Sequence, residues 1–82
     1  MAIVDEVAFR RMDARLASFL LDRSQSGNPL RITHQQIAAE LGSSREVISR
    51  LLESLSNHGI IRLSRGLLEI LDFPALHDLA SI

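Results

Sequence analysis

Within six residues, Arg45, Glu46, Ser49 and Arg50 of the stretch SREVISR set out donor and acceptor groups that an ordinary packed helix does not need. An arginine fork can donate two bonds to guanine O6 and N7, a glutamate can accept from cytosine N4, and a serine can bond either way or touch the thymine methyl group. At about 100° per residue the four side chains fall within a helical arc of about 140°. Val47, Ile48, Leu51, Leu52 and Leu55 fill the opposite side. One face packs and the other presents polar groups. The plainer reading of the same residues is a solvated helix surface, with Glu46 and Arg50 as an i, i+4 pair worth only tenths of a kcal/mol. The surrounding elements separate the two readings.

Upstream, Thr33 followed by Gln36 is a capping-box pattern, and Ile37, Ala38 and Leu41 form one apolar face before Gly42 offers a left-handed stop. Ser43 followed by Glu46 repeats the capping-box pattern and predicts the start of a second helix whose stripe runs to Leu55, ending near Asn57, His58 and Gly59. Two short capped helices across a glycine turn form a helix-turn-helix candidate over residues 33–58. Downstream, IIRL, SRG and LLEIL read as strand, turn and strand, a wing hairpin over residues 60–71 with Arg65 at its tip. A wing so placed can bring Arg65 to a flanking phosphate. Before the pair, Val4, Val7, Ala8, Met12, Leu16, Phe19, Leu20 and Leu21 give an amphipathic helix to about Ser24. SQSGNP then reads as a loop and Leu30–Ile32 as a brief strand, while residues 72–82 carry a short helix with Pro74 in its first turn. The fold class is mainly α with a small β-hairpin, a winged helix-turn-helix in a single domain spanning residues 1–82.

Composition narrows the chemistry. The chain has 82 residues, 46% of them hydrophobic, and no cysteine, so it carries no disulfide framework, thiolate nucleophile or cysteine-bound zinc. Its formal net charge is −1, which argues against a general polyanion binder, but the charge is uneven. Residues 31–65 hold five arginines against three glutamates, whereas residues 66–82 hold only Glu69, Asp72 and Asp78. The helix-turn-helix and wing are therefore the basic part, and all nine basic residues are arginine.

The segment ITHQQIAAELGSSREVISRLLESLSNHGII, within a match from about Val7 to Ala80, resembles the C-terminal winged helix-turn-helix domain of the Crp/Fnr family of bacterial transcription regulators. Arg45, Glu46 and Arg50 stand where Crp-like members place an R-E-x-x-x-R set of base readers. Glu46, Ser49 and Arg50 also satisfy the E-x-x-S-R pattern of Fnr-like members. The resemblance implies sequence-specific binding to double-stranded DNA at half-sites sharing a TGA core, with GTGA favoured by the first arginine and TTGA by the Fnr-like set. It implies DNA-backbone contacts from Thr33, His34, Gln35 and Ser44, although family members often carry arginine where His34 stands. It also implies a homodimer of the full-length regulator on a palindromic operator, with RNA polymerase as a further partner, in the cytoplasm. The family's β-roll sensor and long dimerisation helix are not in these residues, so residues 1–24 are expected to include a remnant of the linker to that sensor. Cyclic nucleotide, haem or iron–sulfur cofactors are not expected to bind this chain.

The remaining signals are structural. His34, His58 and His77 lack metal-ligand spacing, Ser43 is accounted for as a cap, and Phe9, Phe19 and Phe73 read as core aromatics rather than a base-stacking platform. No catalytic constellation is present, so no enzyme is expected. The alternative function is a winged-helix protein-interaction or dimerisation module whose arginines are merely solvated.

Overall fold

The computed structural model describes residues 2–81, with side chains from Arg11 onward. Four helices and three short strands follow in the order α1 (Ala2–Ser24), β1 (Leu30–Arg31), α2 (His34–Leu41), α3 (Arg45–Asn57), β2 (Ile61–Ser64), β3 (Leu67–Ile70) and α4 (Phe73–Ala80). The wing is a two-residue hairpin: Ser64 of β2 faces Leu67 of β3 across the Arg65–Gly66 turn. The brief segment at Leu30 joins this hairpin, so the antiparallel sheet has the order β1–β3–β2. Asn28 extends that edge beyond the strand. Its Nδ2 donates to the Ile70 carbonyl at 3.0 Å and its Oδ1 accepts from the Ile70 amide at 2.9 Å, so one side chain replaces a further pair of ladder bonds.

The helix-turn-helix is built by its caps. Thr33 Oγ1 accepts from the Gln36 amide at 3.1 Å while the Gln36 side chain accepts from the Thr33 amide at 2.8 Å, the reciprocal box expected from the sequence. At the other end of α2, Gly42 adopts φ 67° and ψ 36°, a left-handed conformation that a side chain would strain. The Gly42 amide bonds the Ala39 carbonyl and the Ser43 amide bonds the Ala38 carbonyl at 2.9 Å. These two bonds close α2 in a Schellman turn.

That turn corrects the expected start of α3. Ser43 is consumed in ending α2, so the cap moves one residue on: Ser44 is the N-cap, and its Oγ accepts from the Val47 amide at 3.2 Å. Val47, not Glu46, then occupies the third helical position, and the expected Ser43–Glu46 capping box does not form. Glu46 stays exposed in the first turn, where the positive end of the helix dipole favours it.

Burial follows the stripes read from the sequence. Leu16, Ala17 and Leu20 of α1, Ile37, Ala38 and Leu41 of α2, and Ile48, Leu51, Leu52 and Leu55 of α3 share one core with Ile61, Leu68, Ile70 and Leu76. Each fully buried leucine or isoleucine contributes roughly 1.5–3 kcal/mol relative to exposure. Of the three phenylalanines expected in the core, Phe19 is half-buried, Phe9 lies outside the described side chains, and Phe73 is 38% exposed. Phe73 faces outward because it begins α4, whose buried contact with the core comes one turn later at Leu76. Asp13, partly buried on α1, has its carboxyl raised above the ordinary carboxylate range by desolvation.

Arg15 ties α1 to the helix-turn-helix. Its guanidinium donates to the Leu41 carbonyl at 3.0 Å, satisfying a group at the negative end of α2. A second tie is the ion pair between Arg23 and Glu40, 3.4 Å apart, with Arg23 also stacked 5.1 Å above the Phe19 ring. These contacts join α2 to the long helix. Nothing in the periodicity or spacing of the sequence singles out Arg15 for this part.

Candidate nucleic-acid interface

Helix α3 presents the arc expected of it. Ile48, Leu51, Leu52 and Leu55 are buried, Val47 is half-buried, and Arg45, Glu46 and Arg50 are exposed on the other side. The ion pairs among the described residues are Arg23–Glu40 and Arg62–Glu69. Glu46 and Arg50 therefore do not form the i, i+4 pair that a merely solvated face would use. Arg45, Arg50, Arg31 and Arg65 likewise have no carboxylate within pairing distance among the described residues.

The N-terminal ends of the two helices and the wing meet. A shallow cleft is lined by Thr33, His34 and Gln35 from the start of α2, by Arg45 from the start of α3, and by Ser64 and Gly66 from the wing. Beside it, Arg31 and Arg65 border a second cleft that also contains Thr33 and Gln36. The fold thus brings Thr33, His34, Gln35, Arg45 and the wing to one side, flanked by two unpaired guanidinium groups. Arg31 was not singled out by spacing, because an arginine in a two-residue strand carries no motif. The excess of arginine over acid in residues 31–65 is the signal that points to it.

The cap hydroxyls add to this surface. Thr33 Oγ1 and Ser44 Oγ each use a lone pair on a helix amide, which leaves the hydroxyl hydrogen available to an acceptor such as a phosphate oxygen. Ser49 is in a different state. It is half-buried, and its Oγ lies 2.9 Å from His34 Nδ1, a contact that spans the helix-turn-helix. The backbone ends α3 cleanly: Gly59, at φ 73°, lets the Ile60 amide reach the Leu55 carbonyl and turns the chain into β2.

The model of the Crp-like helix-turn-helix domain matches residues 14–79, about four-fifths of the chain. The chain belongs to that family. Relatives of this Crp-like domain include the cyclic AMP receptor protein of Thermus thermophilus, 35% identical over 79 residues, and the transcriptional regulator SdrP of the same organism, 31% identical over 85 residues. Each alignment takes in 94% of this chain but only 37% and 42% of the respective relative, so the chain spans less than half the length of these regulators. Among solved structures, the Thermus thermophilus catabolite activator protein superposes with a TM-score of 0.87 at 32% identity, over 98% of this chain and 38% of that one. A crp/fnr-family regulator from Eubacterium rectale superposes at 0.85 with 40% identity, over 100% of this chain and 39% of that one. The four helices and the small three-stranded sheet are those of the Crp-family winged helix-turn-helix, a DNA-binding module of transcription regulators and not an enzyme. Among the described residues, no helix is long and apolar enough to cross a membrane.

Proposed function

We propose that the domain reads TGA-containing half-sites of double-stranded DNA, with α3 in the major groove and Arg45, Glu46, Ser49 and Arg50 at base edges. The observation that carries this reading is the unpaired state of Arg45, Glu46 and Arg50 on the exposed face of α3. Left free, the two forks can donate to guanine, and Glu46 can accept from cytosine N4. A glutamate here would repel phosphates, so its presence favours a base contact over backbone attraction alone. Thr33, Gln35, Ser44 and Arg65 supply phosphate contacts around the groove and Arg31 adds one beside the wing, while His34, at the start of α2, turns its Nδ1 to Ser49 instead. Such contacts set register without reading sequence.

A single recognition helix covers too few base pairs to select a site from a genome. The reading therefore includes pairing of two copies in the full-length regulator on a palindrome, with half-site centres about one helical turn, or 10–10.5 bp, apart. It assigns effector sensing and contact with RNA polymerase to the complete regulator in the cytoplasm, and gives this chain no cofactor of its own. The test is selection from a random duplex pool using two copies tethered through their N-termini, followed by a salt titration. Inverted TGA half-sites should emerge, and tethering should raise affinity by about 10²–10⁴ over the untethered chain, a gain lost when one half-site is moved by about 5 bp. Equal binding to selected and random duplexes would overturn the reading and return the interaction-module alternative.

A further inference from the structure

We propose that His34 is a positioning residue for base reading, holding the Ser49 hydroxyl across the helix-turn-helix so that discrimination at one base step depends on both residues. The inference rests on the base-reading function proposed above. It begins from the 2.9 Å separation of His34 Nδ1 and Ser49 Oγ, fifteen residues apart in the chain and both half-buried. A serine inside a helix commonly turns back to the carbonyl one turn earlier. Ser49 instead points its oxygen to the first residue of α2. Its rotor is thereby set by a different element, and the hydroxyl stands on the same arc of α3 as Arg45 and Arg50.

The direction of this bond decides what Ser49 offers to DNA. If His34 Nδ1 carries the proton it donates to Oγ, and the serine hydrogen remains free for an acceptor such as guanine O6 or thymine O4. If Nδ1 is the bare nitrogen it accepts the serine hydrogen, and Oγ presents only lone pairs to a donor such as cytosine N4 or adenine N6. His34 thus couples its tautomer to the base preference at the step facing Ser49. Arg45 lines the same cleft as His34, so a second base reader borders the pair. A phosphate contact by His34 would have different consequences, since it would add affinity on every sequence alike.

The experiment measures base preference in the tethered protein with His34→Leu, His34→Asn, Ser49→Ala and the double variant His34→Leu/Ser49→Ala. His34→Leu should flatten preference at the position that Ser49→Ala also flattens, by roughly three- to tenfold, the value of one neutral hydrogen bond. Binding to random duplex and its salt slope should stay as in the parent. His34→Asn, whose amide places a polar atom near the position of Nδ1, should restore most of the preference, and the double variant should be no flatter than either single one. A uniform loss with a shallower salt slope, or flattening that adds in the double variant, would overturn the inference. The free protein supplies a second readout: the ¹⁵N resonance of His34 Nδ1 at mildly alkaline pH should move on Ser49→Ala, and an unmoved resonance would overturn the inference as well. A parent protein with no base preference at all would sink the base-reading function together with the inference. Preference kept intact in His34→Leu would remove the inference alone.

Discussion

Seven of the nine arginines fall into two groups that differ in surroundings rather than in kind. Arg15, Arg23 and Arg62 are engaged with the protein itself: the Leu41 carbonyl at 3.0 Å, Glu40 at 3.4 Å and Glu69 at 3.6 Å. Arg31, Arg45, Arg50 and Arg65 lie on β1, on the exposed face of α3 and on the wing, with no carboxylate partner among the described residues. In the first, Arg15 and Arg23 tie α1 to α2, and Arg62 pairs across the wing hairpin. In the second, Arg31, Arg45 and Arg65 have open donors where the helix ends and the wing converge, and Arg50 lies farther along the exposed face of α3. A formal net charge of −1 conceals this division, because the excess of arginine over residues 31–65 is offset by Glu69, Asp72 and Asp78 in residues 66–82. What separates the two groups is which cations lack partners among the described residues, not how many there are.

The division can be broken by removing one member from each group. Arg50→Ala should have the largest effect on DNA, about 1–3 kcal/mol of specific binding, with thermal stability and random-duplex affinity nearly unchanged. Competition binding on selected and random duplexes reads both, and equal losses on the two would refute the base-reading role proposed for Arg50. Arg15→Ala should show the opposite pattern. Loss of the bond to the Leu41 carbonyl should cost about 1 kcal/mol of folding stability, seen in urea unfolding, while the salt slope of DNA binding stays in place. A steeply reduced salt slope with unchanged stability would show that Arg15 belongs with the unpaired group and its proposed DNA contacts.

Smaller effects sharpen the boundary. Arg65→Ala should lower affinity uniformly across sequences and reduce the salt slope by roughly one phosphate contact. An unchanged slope would leave Arg65 as a solvated turn residue. Arg62→Ala should do least. Its pairing with Glu69 is on the surface, with the two side chains 67% and 41% exposed, and such pairs contribute about 0–1 kcal/mol. A strong loss of DNA binding in that variant would mean that a paired arginine can leave its partner for phosphate, and pairing would no longer separate the groups.

Much of this architecture was legible in the residues. The Thr33–Gln36 box, the left-handed Gly42, the apolar stripe of α3 and the wing around Arg65–Gly66 all depend on neighbours a few positions away, and the structure contains each of them. Local rules are sufficient there because caps, turns and helix faces are set by i to i+4 geometry. They fail by one residue at Ser43, where two local patterns compete for one amide. The end of α2 takes it, and the cap of α3 passes to Ser44.

The sequence by itself determined the element order, the family and the arc of polar residues on α3. Only the tertiary structure decided which polar groups remain free. The bond from Arg15 to Leu41 spans 26 residues, the pairing of Asn28 with Ile70 spans 42, and the contact of His34 with Ser49 spans 15. None of these has a periodic signature, because each depends on where separate elements come to rest around the common core. A side chain's chemistry is written in its type, but its availability depends on the partners that packing brings within about 3 Å.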